Sequence, residues 1–91
     1  MIRHLNIAVS GKVQGVFFRA SAKEMADSLG VKGFVRNQDD GSVYIEVEGE
    51  SSDLDRYVSW CRRGPPRAVV SNFEVADGTV VGFTGFEIRR Y

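Results

Sequence analysis

The sequence contains one cysteine, one histidine and no excess of charge of either sign. With Cys61 alone, the chain can form no internal disulfide bond, and no Cys or His stands at a metal-ligand spacing. Twelve basic and twelve acidic residues cancel, which argues against electrostatic attraction to nucleic acid or to an anionic membrane. The apolar runs are much shorter than a membrane span, and the N-terminal residues MIRHLNIAVS lack the apolar core of a signal peptide. We therefore expect a cytoplasmic, monomeric protein that binds neither nucleic acid nor membranes.

The chain is long enough for one hydrophobic core, so residues 1–91 are expected to form one domain. Apolar residues alternate in the predicted strands and recur at helical spacing in two segments. The segments VKGFVRN and SVYIEVEG form a predicted hairpin around the turn QDDG. The predicted elements are a strand over 5–10, a helix over 18–29 that ends at Gly30, strands over 31–37 and 42–49, a helix that ends before Gly64, and strands over 68–76 and 85–91.

This order, β-α-β-β-α-β with a short additional C-terminal strand, predicts a ferredoxin-like sandwich of the α+β class. Two helices are expected to cover one face of a mainly antiparallel sheet. We expect Ser51 or Ser52 to cap the second helix, and Cys61 to face the core. His4 stands at the start of the first strand, where we expect an exposed structural side chain rather than a catalytic base.

The most informative stretch is GKVQGVFFR, residues 11–19, between the first strand and the first helix. The first amides of a helix have no intrahelical acceptor, and the helix dipole places about half a positive charge there. Gly11 and Gly15 permit positive φ, so successive N–H groups can converge on an anion, and Arg19 adds a permanent planar cation. The alternative is that the glycines only make the turn and that Arg19 is solvated. The loop lacks the Lys-Ser/Thr ending of a nucleotide-binding phosphate loop, which excludes an NTPase.

Two motifs resemble those of the acylphosphatase family. GKVQGVFFR is similar to the family signature Gly-x-Val-Gln-Gly-Val-x-Phe-Arg. The stretch GFVRNQDDGSVYIEVEG, residues 33–49, is similar to the second family motif, and GFEIRRY is similar to the last strand of the family. The two motifs stand in the order and at the spacing of the family, and the likeness covers nearly the whole chain.

The resemblance implies a hydrolase that converts small acyl phosphates to carboxylate and inorganic phosphate without a metal or another cofactor. It implies that the Arg19 guanidinium and the backbone amides of the loop bind the substrate phosphate. It also implies that Asn37 positions the attacking water. The loop residues concerned are Gln14, Gly15, Val16, Phe17, Phe18 and Arg19.

The loop offers no nucleophile and no general acid, and this restricts the substrate. An acyl phosphate expels a carboxylate whose conjugate acid has a pKa of about 4, by analogy with Asp and Glu, so it departs without protonation. An alkoxide leaving group needs an acid, a metal or a covalent nucleophile. The sequence therefore predicts an activated phosphate as substrate, with a phosphate oxygen taking the proton of the water. Asp39 and Asp40 are alternative proton acceptors, although their position favours a role in the turn.

Two other functions are also compatible with the sequence. The domain could bind phosphate as a regulatory sensor without turnover. The ferredoxin-like plan is also shared with RNA-recognition domains, and KGFVRN is similar to the start of their aromatic strand motif, although the second and third aromatics are missing. For an enzyme, Val13, Val16 and Phe17 are expected to form an apolar rim that tolerates many acyl groups.

Overall fold

The computed structural model describes residues 1–90 as five strands and two helices in the predicted order. Tyr91, at the end of the predicted last strand, lies outside the described residues. Neither helix has the length and apolar character that a membrane span requires, within residues 1–90. The elements are β1 (Ile2–Lys12), α1 (Phe18–Leu29), β2 (Lys32–Asn37), β3 (Val43–Glu50), α2 (Ser51–Arg63), β4 (Val69–Gly78) and β5 (Phe86–Arg89).

The five strands form one sheet in the order β4-β1-β3-β2-β5. β1 pairs antiparallel with β3 and β4, and β2 pairs antiparallel with β3, whereas β5 runs parallel to β2. Alternate residues of β1, β2 and β3 share one hydrophobic core with both helices, so the helices cover the same face of the sheet. This is the predicted ferredoxin-like α+β fold. The fully buried core side chains include Ile7, Val9, Val35, Ile45, Leu54 and Tyr57.

Both ends of α1 agree with the sequence prediction, and the first of them positions the site. The helix ends at Gly30, which adopts a left-handed conformation at φ 74° and donates its N–H to the carbonyl of Asp27. At the other end, Phe17 is the N-cap residue and is also left-handed, at φ 64° and ψ 23°. The turn before α1 therefore bends sharply at a bulky residue as well as at glycine.

The start of α2 differs from the prediction. The N-cap position is held by Glu50, no side chain caps the helix, and both Ser51 and Ser52 are already helical. The reason is that β3 continues to Glu50 and α2 begins at the next residue, so no loop separates them. Cys61 is fully buried, as predicted.

His4 is buried, not exposed as the sequence suggested, with 3% of its surface accessible. Its Nδ1 lies 2.6 Å from Glu48 Oε2, and its Nε2 lies 2.9 Å from Asn6 Oδ1 and 3.1 Å from Glu46 Oε1. Because both ring nitrogens face oxygen acceptors, the arrangement suits the imidazolium form. Burial opposes that charge, but these oxygens outweigh it and raise the pKa of His4.

Glu48 is the second member of this buried pair and fastens the connection between β4 and β5. Its carboxylate accepts hydrogen bonds from the backbone amides of Val81, Gly82 and Phe83. Burial alone raises the pKa of this carboxyl group, but the three amides and His4 together lower the pKa of Glu48 to about 2. The carboxylate therefore anchors this segment to the sheet, beside the Phe83 ring that stacks on His4 at 5.8 Å.

Candidate active site

The loop between β1 and α1 presents a row of unpaired backbone donors. Gly15 has φ 72° and Phe17 has φ 64°, so the chain passes through the left-handed region at two positions within three residues. The first hydrogen bond of the helix is donated by Ser21 to the Phe17 carbonyl, at 3.0 Å. Within residues 1–90, none of the amides of 14–19 donates to a protein acceptor. These donors are available to an anion at the positive end of the α1 dipole.

Arg19 lies in the first turn of α1 and is half-buried. In the part of the chain that the structure describes, its guanidinium takes part in no ion pair with a carboxylate. It lines a pocket of about 300 Å³ together with Gly15, Phe17 and Phe18. The cation and three of the loop residues with open amides therefore line one pocket, and the other two predicted loop residues do not line it.

Asn37 reaches the same pocket from the sheet. It is the last residue of β2, and Val35, two residues earlier, is fully buried under the helices. Because side chains alternate along a strand, Asn37 lies on the helix face, where it lines the pocket with Arg19. Its carboxamide makes no hydrogen bond to a protein group among residues 1–90. The amide is thus free to hold a water molecule or a substrate oxygen.

The side chain of Gln14 ties the loop to the turn that follows Asn37. Its Nε2 donates to the carbonyl of Gln38 at 2.8 Å and to the carbonyl of Ser42 at 2.9 Å. From the sequence, only the backbone of Gln14 is expected at the site, and this side-chain link was missed. The family signature contains this glutamine, but its two acceptors lie 24 and 28 residues away and no local pattern identifies them.

The turn itself is held by Asp40. One of its oxygens accepts from the Ser42 amide at 2.9 Å and from the Ser42 hydroxyl at 2.6 Å. These hydrogen bonds lower the pKa of Asp40. The role of Asp40 in the turn is therefore confirmed, and Asp39 is exposed beside it. Neither carboxylate lines the pocket that holds Arg19 and Asn37.

The remaining reactive side chains lie away from this pocket. Cys61 is fully buried in α2, and burial raises the pKa of its thiol far above the usual value. His4 is engaged with Glu48 under the β4–β5 connection. Among the described residues, no three His, Cys, Asp or Glu side chains converge as the ligands of one metal ion.

Comparison with known proteins decides the family. The acylphosphatase family model matches residues 5–88. The acylphosphatase of Thermotoga petrophila is 47% identical over 90 residues, which cover 99% of this chain and 100% of that protein. The chain belongs to the acylphosphatase family. The resemblance that the two motifs carried is thereby confirmed over nearly the full length.

Solved structures of two acylphosphatases have the same fold as this chain. The acylphosphatase of Coxiella burnetii superposes with a TM-score of 0.93 at 36% identity, covering 97% of this chain and 93% of that one. The acylphosphatase of Bacillus subtilis gives a TM-score of 0.93 at 34% identity, covering 98% of this chain and 99% of that one. The five-stranded sheet and two helices described above are therefore the fold of the acylphosphatase family.

Proposed function

We propose that this chain hydrolyses small acyl phosphates to a carboxylate and inorganic phosphate. The amides of residues 14–19 and the Arg19 guanidinium bind the phosphoryl group, and Asn37 holds the attacking water. The observation that carries this proposal is that Arg19, Asn37 and loop residues with unpaired amides line one pocket of about 300 Å³. Membership of the acylphosphatase family supports the same reaction.

The chemistry requires positioning and charge stabilisation more than covalent participation by the protein. The water oxygen forms a bond to phosphorus while the bond from phosphorus to the acyl oxygen breaks. The acyl oxygen leaves with the electron pair as a carboxylate, and a phosphate oxygen takes the proton of the water. Arg19 and the amides neutralise the charge on the equatorial oxygens as the bonds rearrange. Neither a cofactor nor a metal takes part in the proposed reaction.

Hydrolysis of benzoyl phosphate and acetyl phosphate tests this proposal. The wild-type protein is expected to release phosphate from both, at the same rate with and without a metal chelator. Replacement of Arg19 by Ala is expected to lower kcat/KM by about a thousandfold, because a charge-assisted bidentate contact to the transferred group is lost. Saturable binding of inorganic phosphate without any hydrolysis selects the sensor function instead and contradicts the proposal.

We also propose that the chain acts as one monomeric domain over residues 1–91, in the cytoplasm and without nucleic acid. A single core cluster that includes both helices and the sheet supports one domain. The sole cysteine is a free buried thiol, which suits a reducing compartment. Sedimentation of the purified protein is expected to give the mass of one chain at all micromolar concentrations, and a concentration-dependent mass contradicts the monomer.

A further inference from the structure

The candidate pocket has two chemically different halves. Among residues 1–90, Arg19 and Asn37 are its only charged or amide-bearing lining residues, and the proposed reaction uses both. The rest of the lining is apolar apart from Gly15, and comes from the loop, from α1 and from β5. The apolar lining residues are Val13, Phe17, Phe18, Ala20 and Ile88. Once the phosphoryl group and the water occupy the polar half, the acyl group lies against these apolar side chains.

Two of these apolar residues are unusually exposed for their size. Phe17 is 69% exposed, and Ile88 in β5 is 42% exposed. Phe17 is also the one non-glycine residue with positive φ in the part of the chain described, a conformation that is unfavourable for a bulky residue. Backbone strain at a residue whose ring is left in solvent points to a role at the mouth of the site rather than in the core.

The expected rim is only partly correct. Phe17 lines the pocket mouth, whereas Val13 and Val16 are 1% and 4% exposed and belong to the core, and of these two only Val13 lines the pocket floor. Ile88 completes the apolar wall. It lies there because β5 pairs in parallel with β2, and β2 is the strand that ends at Asn37. The wall therefore combines a loop residue and a strand residue that are far apart in the sequence.

We infer that Phe17 and Ile88 form an acyl-binding subsite that selects acyl phosphates with an apolar, aromatic or branched acyl group over acetyl phosphate and over acyl groups that carry a charge. The inference rests on the proposed function and names its substrate class. A volume of about 300 Å³ is at the lower limit for small-molecule pockets, which suits a compact acyl group. Each apolar group buried against the wall adds to transition-state binding.

A second cleft beside Asn37 offers the opposite chemistry. Arg36, Arg90 and Asp39 line it, in a volume of about 190 Å³. Asp39 offsets part of its positive charge, and the Arg36 guanidinium stacks over the Tyr44 ring at 5.0 Å. An acyl group with a carboxylate would turn towards this cleft. The apolar wall adjoins Arg19 directly, whereas this cleft does not include Arg19, so the observations favour the apolar acyl group.

The test is the ratio of kcat/KM for benzoyl phosphate to that for acetyl phosphate, measured in wild type and in Ile88→Thr. Threonine keeps the β-branched shape that a strand favours but removes apolar surface from the wall. The ratio is expected to fall about tenfold, the lower end of the effect of a methylene group in an apolar pocket. The matched control is Val75→Thr, because Val75 is 40% exposed and lies in β4 at the opposite edge of the sheet. Its ratio is expected to equal that of the wild type.

Phe17→Asn provides a second variant, since asparagine tolerates the left-handed conformation that this position requires. The ratio is expected to fall again, and inhibition by inorganic phosphate reports whether the loop still binds the anion. An unchanged ratio in both variants, or faster wild-type turnover of succinyl phosphate than of benzoyl phosphate, overturns the acyl subsite. Loss of hydrolysis of every acyl phosphate by the wild type is a different result and contradicts the proposed function itself.

Discussion

Replacing Gln14 by Leu tests how firmly the phosphate-binding loop must be held against Asn37. The Gln14 carboxamide donates two hydrogen bonds to the turn that follows Asn37, at 2.8 and 2.9 Å. Leucine has a similar size and cannot donate. The loop then loses its direct tie to the turn, and the two halves of the candidate site are held together only by the core beneath them.

The size of the loss in stability follows from the hydrogen bonds that the two acceptor carbonyls keep. The Gln38 carbonyl still accepts from the Gly41 amide at 3.1 Å, and the Ser42 carbonyl still accepts from the Gln38 amide at 2.8 Å. Neither carbonyl is left without a partner, so the cost is that of two neutral hydrogen bonds, about 2 kcal/mol. For a domain of this size, that loss lowers Tm by roughly 8–16 °C. A displacement of the loop by about 1 Å lowers kcat by roughly a hundredfold.

The assay is benzoyl phosphate hydrolysis at a temperature well below both Tm values, with thermal unfolding measured in parallel. Gln38→Leu is the matched control, because the Gln38 side-chain amide donates to the Ser42 hydroxyl at 3.0 Å, whereas the link to the loop uses the Gln38 backbone carbonyl, which the substitution keeps. The control is expected to lose some stability and to keep kcat. If Gln14→Leu loses stability but hydrolyses benzoyl phosphate at the parent rate, the Gln14 side chain is purely structural and does not position the loop for catalysis.

Three further predictions concern other residues. Asn37→Ala is expected to lower kcat by about a hundredfold, because the attacking water loses the side chain that orients it. The inhibition constant for inorganic phosphate is expected to stay within about twofold of the wild-type value, because the loop and Arg19 still bind the anion. A normal kcat contradicts this role of Asn37. Glu48→Gln is expected to lower the free energy of unfolding by about 2 kcal/mol in urea at neutral pH. The pKa of Glu48 in the folded protein is about 2, below its usual value, so the stability that Glu48 contributes is present above the usual pKa and is lost as the pH falls towards 2. The free energy of unfolding of the variant is therefore expected to fall less steeply with acidification than that of the wild type. Identical slopes below neutral pH refute this. Cys61, fully buried with a raised thiol pKa, is expected to resist alkylation in the native protein and to react in urea, and rapid native labelling contradicts its burial.

Local pattern was enough for much of the fold. The apolar stripe of the first helix and Gly30 define α1 with its observed bounds, because both signals lie within the helix itself. β1 is longer than predicted, Ile2–Lys12 instead of 5–10. Pairing with β3 on one side and β4 on the other extends it through polar residues that carry no alternating pattern.

The burial of His4 and the place of Ile88 in the pocket were missed for one physical reason, which is dependence on distant partners. His4 is buried by Glu48, 44 residues later, and by the connection that Glu48 holds, so its own neighbours in sequence gave no sign of burial. Ile88 joins the pocket through a parallel pairing that the strand pattern does not specify. For the site itself, the helix start, the glycines and Arg19 were readable because backbone geometry and the helix dipole are local properties.

Titration of the ¹⁵N-labelled protein with inorganic phosphate tests most directly whether the amides of residues 14–19 and Arg19 bind the phosphoryl group. The amide resonances of 14–19 are expected to shift with one saturating curve, and the shifts are expected to disappear in Arg19→Ala. The amides of Val81, Gly82 and Phe83 serve as an internal control, because they already donate to Glu48. Saturable shifts centred on the cleft of Arg36 and Arg90, with 14–19 unmoved, would contradict the account.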